Sequence, residues 1–400
     1  MIKFLISIIR KIFSNMSVTK ARRDKEDYQD YWKVTLEYTD TDSNFYIGTL
    51  KIIKDFIDKH KDELSEPETY SEDLWKKLQE EVDSFHPKQR TVPDAISPSV
   101  RKAINQFVKL GFVEPGGKGY HRDLEKFLQP DSPQQKLIIF SKIVYENSNF
   151  NGSWTTPDSK DRGNHMQFLI KTLQEVNRLT RQDILGLMKV DIDTITDDHL
   201  TRKELDEYVD DNWDDGFLEK KYNQLSHFRS ILKRLDGMTM RTEYPEGDVL
   251  ISETYAKEQF PDHWRKEGRD PYLQNMYRRS LIQESIDKTQ AEIDVYSTNG
   301  FCMASGMNDK CIASHLKPFS RCDNSEEAYD PSNGLFLLVK IDKYFDKGRI
   351  TFDSNGCIIF RRDFPPAEKK EFEKLSINTI FLTKERLQYL EYHRKNVFVR

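Results

Sequence analysis

The chain has 400 residues, 37% of them hydrophobic and 32% charged, with a formal net charge of −5. That length accommodates two or three domains with their own cores, and so high a charged fraction excludes an integral membrane protein. The acidic balance argues against a general polyanion binder, so any nucleic acid would have to meet a local basic face.

The opening stretch "MIKFLISIIRKIF" is apolar and basic but far too short to span a bilayer. It could begin a signal peptide, although no small-residue cleavage site follows, or act as an amphipathic surface anchor. The preferred reading of residues 1–20 is a leader or disordered segment, with Met16 a plausible true start. Residues 21–134 form a candidate DNA-recognition domain. In "GTLKIIKDFIDKHKDEL", Leu50, Ile53, Phe56 and Ile57 share one helical face. Ser97-Pro98 signals a helix start, Val100, Ile104, Phe107 and Val108 make its apolar stripe, and Gly111 stops it. "GFVEPGGKGYH" then reads as a short strand and glycine-rich turn. Together these pieces resemble a winged-helix element, in which Lys102, Lys109, Lys118, His121 and Arg122 would face phosphates; an ordinary helical domain with solvated lysines is the alternative.

Residues 135–240 are expected to be a helical domain, with five segments carrying apolar residues at three- and four-residue spacing. Phe140, Tyr145 and Phe168 belong to its core on this reading. "NSNFNGSWTTPDSKDRGN" is a polar, exposed loop. "DIDTITDDHLTRKE" resembles a calcium loop only superficially. Counted from Asp191, position six is Thr196 where glycine is needed, and position twelve is Arg202 where glutamate is needed. The Pro-Asp pairs at 93, 130, 157 and 261 lack the hydrophobic strand ending in Glu-x-Lys that a carboxylate-plus-lysine nuclease core requires. Residues 241–274 show no clear period and read as a connector to a last domain, 275–400.

That last domain carries the chemistry. "CIASHLKPFS" is a strand bearing His315, followed by a polar loop and then "NGLFLL", a second strand with Asn333 at its mouth. "VKIDKYFDKG" is a short helix closed by Gly348 in a left-handed position. "RITFDSNGCIIF" is a hairpin turning at Asp353 to Gly356. Asp342 and Asp346, four apart, share a helical face, and two carboxylates so placed suit a hard divalent cation such as magnesium or manganese. A neutral imidazole can take a proton from water, and an asparagine carbonyl can fix its tautomer. These parts make a one-metal phosphodiester hydrolase. Cys302, Cys311, Cys322 and Cys357 all fall in this last quarter without a C-x-x-C pair, so a zinc ribbon is weakly supported and they read as reduced cytosolic thiols of a cytoplasmic protein.

"ASHLKPFS…YDPSNGLFLLVKIDKYFDKGRITFDSNGCI" resembles the HNH nuclease family, of the ββα-metal fold. The resemblance runs from the helix "MYRRSLIQESI" and the "CMASG" turn to "LQYLEYHRKNVF", covering about 275–400. It implies a C-terminal HNH domain, which with the mostly helical N-terminal region read from periodicity makes an α+β chain. It also implies His315 as general base, Asn333 as its orienting residue, and Asp342 and Asp346 as metal ligands for magnesium, with manganese an alternative. Many family members place an Asp or His ligand just before the base; here Ser314 stands there. Residues 301–400 hold 17 Lys or Arg against 14 Asp or Glu, a local positive excess that suits nucleic acid. Lys317, Arg321, Lys343, Lys347 and Arg349 surround the expected site as phosphate contacts. The resulting expectation is a site-specific double-stranded DNA endonuclease of a restriction system, a homodimer on a palindromic site, with a companion methyltransferase. A modification-dependent or anti-phage nuclease and a catalytically decayed DNA-binding protein are the alternatives.

Overall fold

A computed structural model describes residues 32–66, 70–86, 96–156, 163–209, 215–243, 247–253, 259–290 and 299–398. The expected leader, 1–20, lies outside them. The chain divides into two compact units, one made of 1–129 and 139–257, the other of 130–138 and 258–400. The architecture is α+β, with small antiparallel sheets among many helices. Among the described residues no helix is long and apolar enough to cross a membrane.

In the first unit, serines start the helices Asn44–Lys59, Glu72–Phe85 and Pro98–Lys109. Ser43, Ser71 and Ser97 each accept a hydrogen bond from a backbone N–H of the first turn. The expected apolar faces are the ones buried: Leu50, Ile53 and Phe56 on the first helix, Val100, Ile104 and Phe107 on the third. The boundary expected at 134 is not followed. Phe112 packs on Phe127 with centroids 4.8 Å apart and on Phe140 at 5.9 Å, so one aromatic core spans it. Phe140, Tyr145 and Phe168 are buried, as expected.

The segment 241–274 also departs from a periodless connector. Strands β1 (Arg178–Thr180), β2 (Met238–Glu243) and β3 (Gly247–Ser252) form an antiparallel sheet in the order β1-β3-β2, with Met240 opposite Leu250. The glycine-rich turn after Gly111 does bring Val113 against Tyr120, but its tip is no exposed wing. Gly116 N–H donates to Trp154 O at 2.9 Å, and the Trp154 ring lies against Gly117. Lys118 Nζ donates to Leu64 O at 2.7 Å, Lys109 Nζ to Lys33 O at 2.9 Å, and His121 meets Glu146 at 3.0 Å. With Arg122 4.0 Å from Asp123, four of the five groups expected to face phosphates are therefore engaged by the unit itself.

The second unit is built on the helix Pro271–Gln290 and an antiparallel ribbon of β4 (Cys311–His315) and β5 (Gly334–Leu338). The helix Val339–Phe345 follows β5 without a loop. β5 is apolar almost throughout because it is covered on both faces, the arrangement that removes alternation from a strand. Gly334 is required there: any Cβ would collide with the Tyr277 hydroxyl and with Leu281. Gly348 ends the short helix at φ +60, where a side chain would also strike the carbonyl of Val397. Strands β6 (Ile350–Phe352) and β7 (Ile358–Phe360) pair as the expected hairpin, and the helices Pro366–Phe372 and Lys384–Asn396 complete the unit.

Candidate functional site

The end of β4 presents two neighbouring polar side chains to opposite sides, as strand geometry dictates. Ser314, buried, donates its hydroxyl proton to Asp342 Oδ1. His315 turns toward the helix Pro271–Gln290, where its ring stacks on Tyr277 with centroids 4.5 Å apart and planes 18° from parallel. Phe319 meets the imidazole edge-on at 6.1 Å. His315 Nε2 lies 2.9 Å from the Ala328 carbonyl oxygen, an acceptor, so Nε2 carries the proton and Nδ1 is the basic nitrogen. Among the described residues Nδ1 makes no hydrogen bond. Burial pushes the imidazole down to about 4; the Ala328 carbonyl opposes this, and the charge of Arg269 adds to it.

Asp342 and Asp346 sit one helical turn apart, with the Asp346 N–H donating to the Asp342 carbonyl at 2.8 Å. Burial raises the Asp342 carboxyl above its usual range; the Ser314 hydroxyl opposes the shift and the neighbouring Asp346 charge reinforces it. Among the described residues neither carboxylate makes an ion pair. The structure thus groups Ser314, Asp342 and Asp346, and places His315 on the adjoining residue of the same strand.

Residues 302–353, which contain this arrangement, match the family model described as HNH endonuclease. This segment belongs to the HNH endonuclease family. No curated protein matches the chain.

Within the HNH unit, Asn333 does not reach the imidazole. Fully buried, it spends its amide on the loop between the ribbon strands. Oδ1 accepts from Lys317 N–H at 2.7 Å, and Nδ2 donates to the carbonyls of Lys317 and Glu327, each at 3.2 Å. A buried amide must satisfy both its donors and its acceptor, and the loop backbone does so. Asn333 therefore acts on the histidine at one remove, by holding the loop that carries Ala328.

Lys317 is also not a surface cation. It is buried, with Nζ 2.7 Å from Glu327 and 2.9 Å from Asp323, closing the same loop. Its charge is neutralised internally, which removes it from the expected phosphate contacts. Arg321, Lys343 and Lys347 are exposed. Arg321 donates to the Asn396 carbonyl at 3.0 Å, and Arg349 lies 3.8 Å from Asp363.

Two further features were not foreseen. Tyr277 supplies both the stacking surface for His315 and a hydrogen bond to the Asn333 carbonyl at 3.1 Å. Arg386, fully buried, is paired with both Glu284 oxygens at 3.0 and 2.7 Å and donates to the carbonyls of Gly334, Phe381 and Pro331. That pairing holds the Glu284 carboxyl down at about 2 against its burial. One sequence signal existed: Arg386 occupies the first turn of its helix, where the dipole favours acids.

A divalent cation fits the donor set. Two carboxylates on one face without a cationic partner repel each other, and hard oxygen donors suit magnesium, manganese or calcium. Among the described residues no three His, Cys, Asp or Glu side chains gather to hold a metal. The chain would therefore supply Asp342 and Asp346, leaving other positions to water and substrate oxygens.

Proposed function

We propose that this protein is a metal-dependent, site-specific endonuclease of double-stranded DNA that serves a restriction system. The observation that carries the reading is the end of β4. An imidazole with its tautomer fixed by the Ala328 carbonyl stands next in sequence to a serine bonded to Asp342, one of two carboxylates that make no ion pair among the described residues. His315 Nδ1 would accept the proton of the attacking water. With its acidity shifted to about 4, the ring is neutral at pH 7 and needs no prior deprotonation. The Ala328 carbonyl then stabilises the imidazolium through its bond to Nε2–H. A divalent cation, which HNH nucleases generally use, would be held by Asp342 and Asp346 and would offset charge developing on the phosphate; we favour magnesium. Exposed Arg321, Lys343 and Lys347 would contact flanking phosphates.

Site selection is assigned to the unit built from 1–129 and 139–257, which has its own core and exceeds what cutting alone requires. A homodimer would give one centre per strand of a palindromic site. The test incubates the purified chain with methylated and unmethylated phage DNA in magnesium and sequences the ends. Discrete, methylation-blocked ends support the reading; ends found only on methylated DNA would replace it with a modification-dependent nuclease. No cleavage in magnesium or manganese would refute it.

A further inference from the structure

We propose that Ser314 is a positioning residue for the cation site: its hydroxyl holds the Asp342 carboxylate so that the free oxygen faces the same point as Asp346. The inference rests on the metal-dependent reading above. A hydrogen bond here replaces the directly coordinating Asp or His that the family resemblance associates with this position.

Three observations carry it. Ser314 lies opposite Leu335 in the ribbon, and because β5 runs straight into the helix Val339–Phe345, Asp342 sits within the first turn above it. Ser314 is only 4% exposed, so its hydroxyl must find a partner inside the protein, and the single proton goes to Asp342 Oδ1. Among the described residues Asp342 Oδ2 has no partner. The terminal torsion of an aspartate is soft, with broad preferences. One charge-assisted hydrogen bond is enough to select the rotation that turns Oδ2 toward Asp346 before a cation arrives. Without the hydroxyl, cation binding must itself order the carboxylate.

The test compares S314T with S314V in the full chain, in an H315A background that keeps any DNA intact. Threonine and valine have the same shape and both suit a strand, so the pair differs only in the hydroxyl. Manganese binding is read by electron paramagnetic resonance of the free ion, and melting curves check folding. S314T should keep the affinity of the parent, and S314V should bind manganese more weakly by about tenfold or more, the factor for one hydrogen bond to a charged group. Equal affinities for S314T and S314V would overturn the inference alone, provided D342N still weakens binding. If D342N and D346N also leave binding unchanged, or the parent binds no manganese, the metal-dependent reading fails with it.

Discussion

Acidifying the assay from pH 7 to pH 5 should leave most of the catalytic efficiency intact. Burial, the dominant cause, lowers His315 from 6.5 to about 4, because the packed rings of Tyr277 and Phe319 deprive an imidazolium of water. At pH 5 an ordinary imidazole is about 3% neutral, whereas one titrating near 4 is about 90% neutral, a difference of about thirtyfold in competent base. The efficiency, kcat/KM, is the quantity to measure, since it reports the free enzyme. In the DNA complex a nearby phosphate charge would raise the imidazole and move the limb of kcat upward. The assay is nicking of supercoiled plasmid at sub-saturating DNA from pH 4.5 to 8, with manganese titrated at every pH. The titration is essential because the Asp342 carboxyl is also raised and would release metal as pH falls. Metal loss is overcome by more manganese, while a protonated base is not. An acid limb with its midpoint near 6.5 at saturating metal would refute the part-buried, neutral base. F319A, which opens the ring to water, should shift the limb upward.

H315A should lower cleavage by about a hundredfold or more while leaving DNA binding in a gel-shift assay unchanged; near wild-type cleavage would remove the base assignment. D342N and D346N should each raise the metal concentration needed for half-maximal rate, and identical titration curves in both would exclude them as ligands. K343A/K347A should flatten the salt dependence of DNA binding by about two contacts, whereas K317M should leave the slope unchanged and lower the melting temperature, since Lys317 is consumed by Glu327 and Asp323. His315 and His393 are both shifted down to about 4 by burial. Between 6.5 and 4 the unfolded chain binds protons that the folded chain refuses, so the melting temperature should fall as pH drops through that window. A melting temperature flat from pH 7 to 4.5 would contradict both shifts.

The HNH segment was legible because its devices are local. Asp342 and Asp346 are spaced by one turn, Gly348 carries the positive φ its position demands, and Asp353 to Gly356 turn the hairpin, all within a few residues of sequence. What lay outside local reach was misread. A glycine-rich turn announces a reversal but not its surroundings, and the tip at Gly116 and Gly117 is buried by Trp154, supplied from far along the chain. β2 escaped notice because Arg241, Thr242 and Glu243 follow one another on a half-exposed strand that pairs, among the described residues, with β3 alone, so no apolar alternation marks it. The orienting group of His315 is a backbone carbonyl, which leaves no residue-type signature. The fate of Lys317 depended on Glu327, ten positions away across a loop with no periodicity to place it.

The loop between β4 and β5 explains why the two halves of the site can be rigid independently of DNA. Asn333 ties its amide to Lys317, Cys322 and Glu327, and Lys317 clamps Glu327 from the other side. Ala328 is thereby fixed at the residue following Glu327, and with it the acceptor for His315 Nε2–H. A lysine two residues from His315 would be expected to raise the local potential and disfavour an imidazolium. Here its charge is cancelled by two carboxylates, and burial together with Arg269 sets the acidity of the ring. The proposed chemistry would therefore be insulated from the charges proposed to meet DNA. Attraction for phosphates would come from Arg321, Lys343 and Lys347 at the surface, and changing them should alter affinity and its salt dependence without moving the pH profile of cleavage.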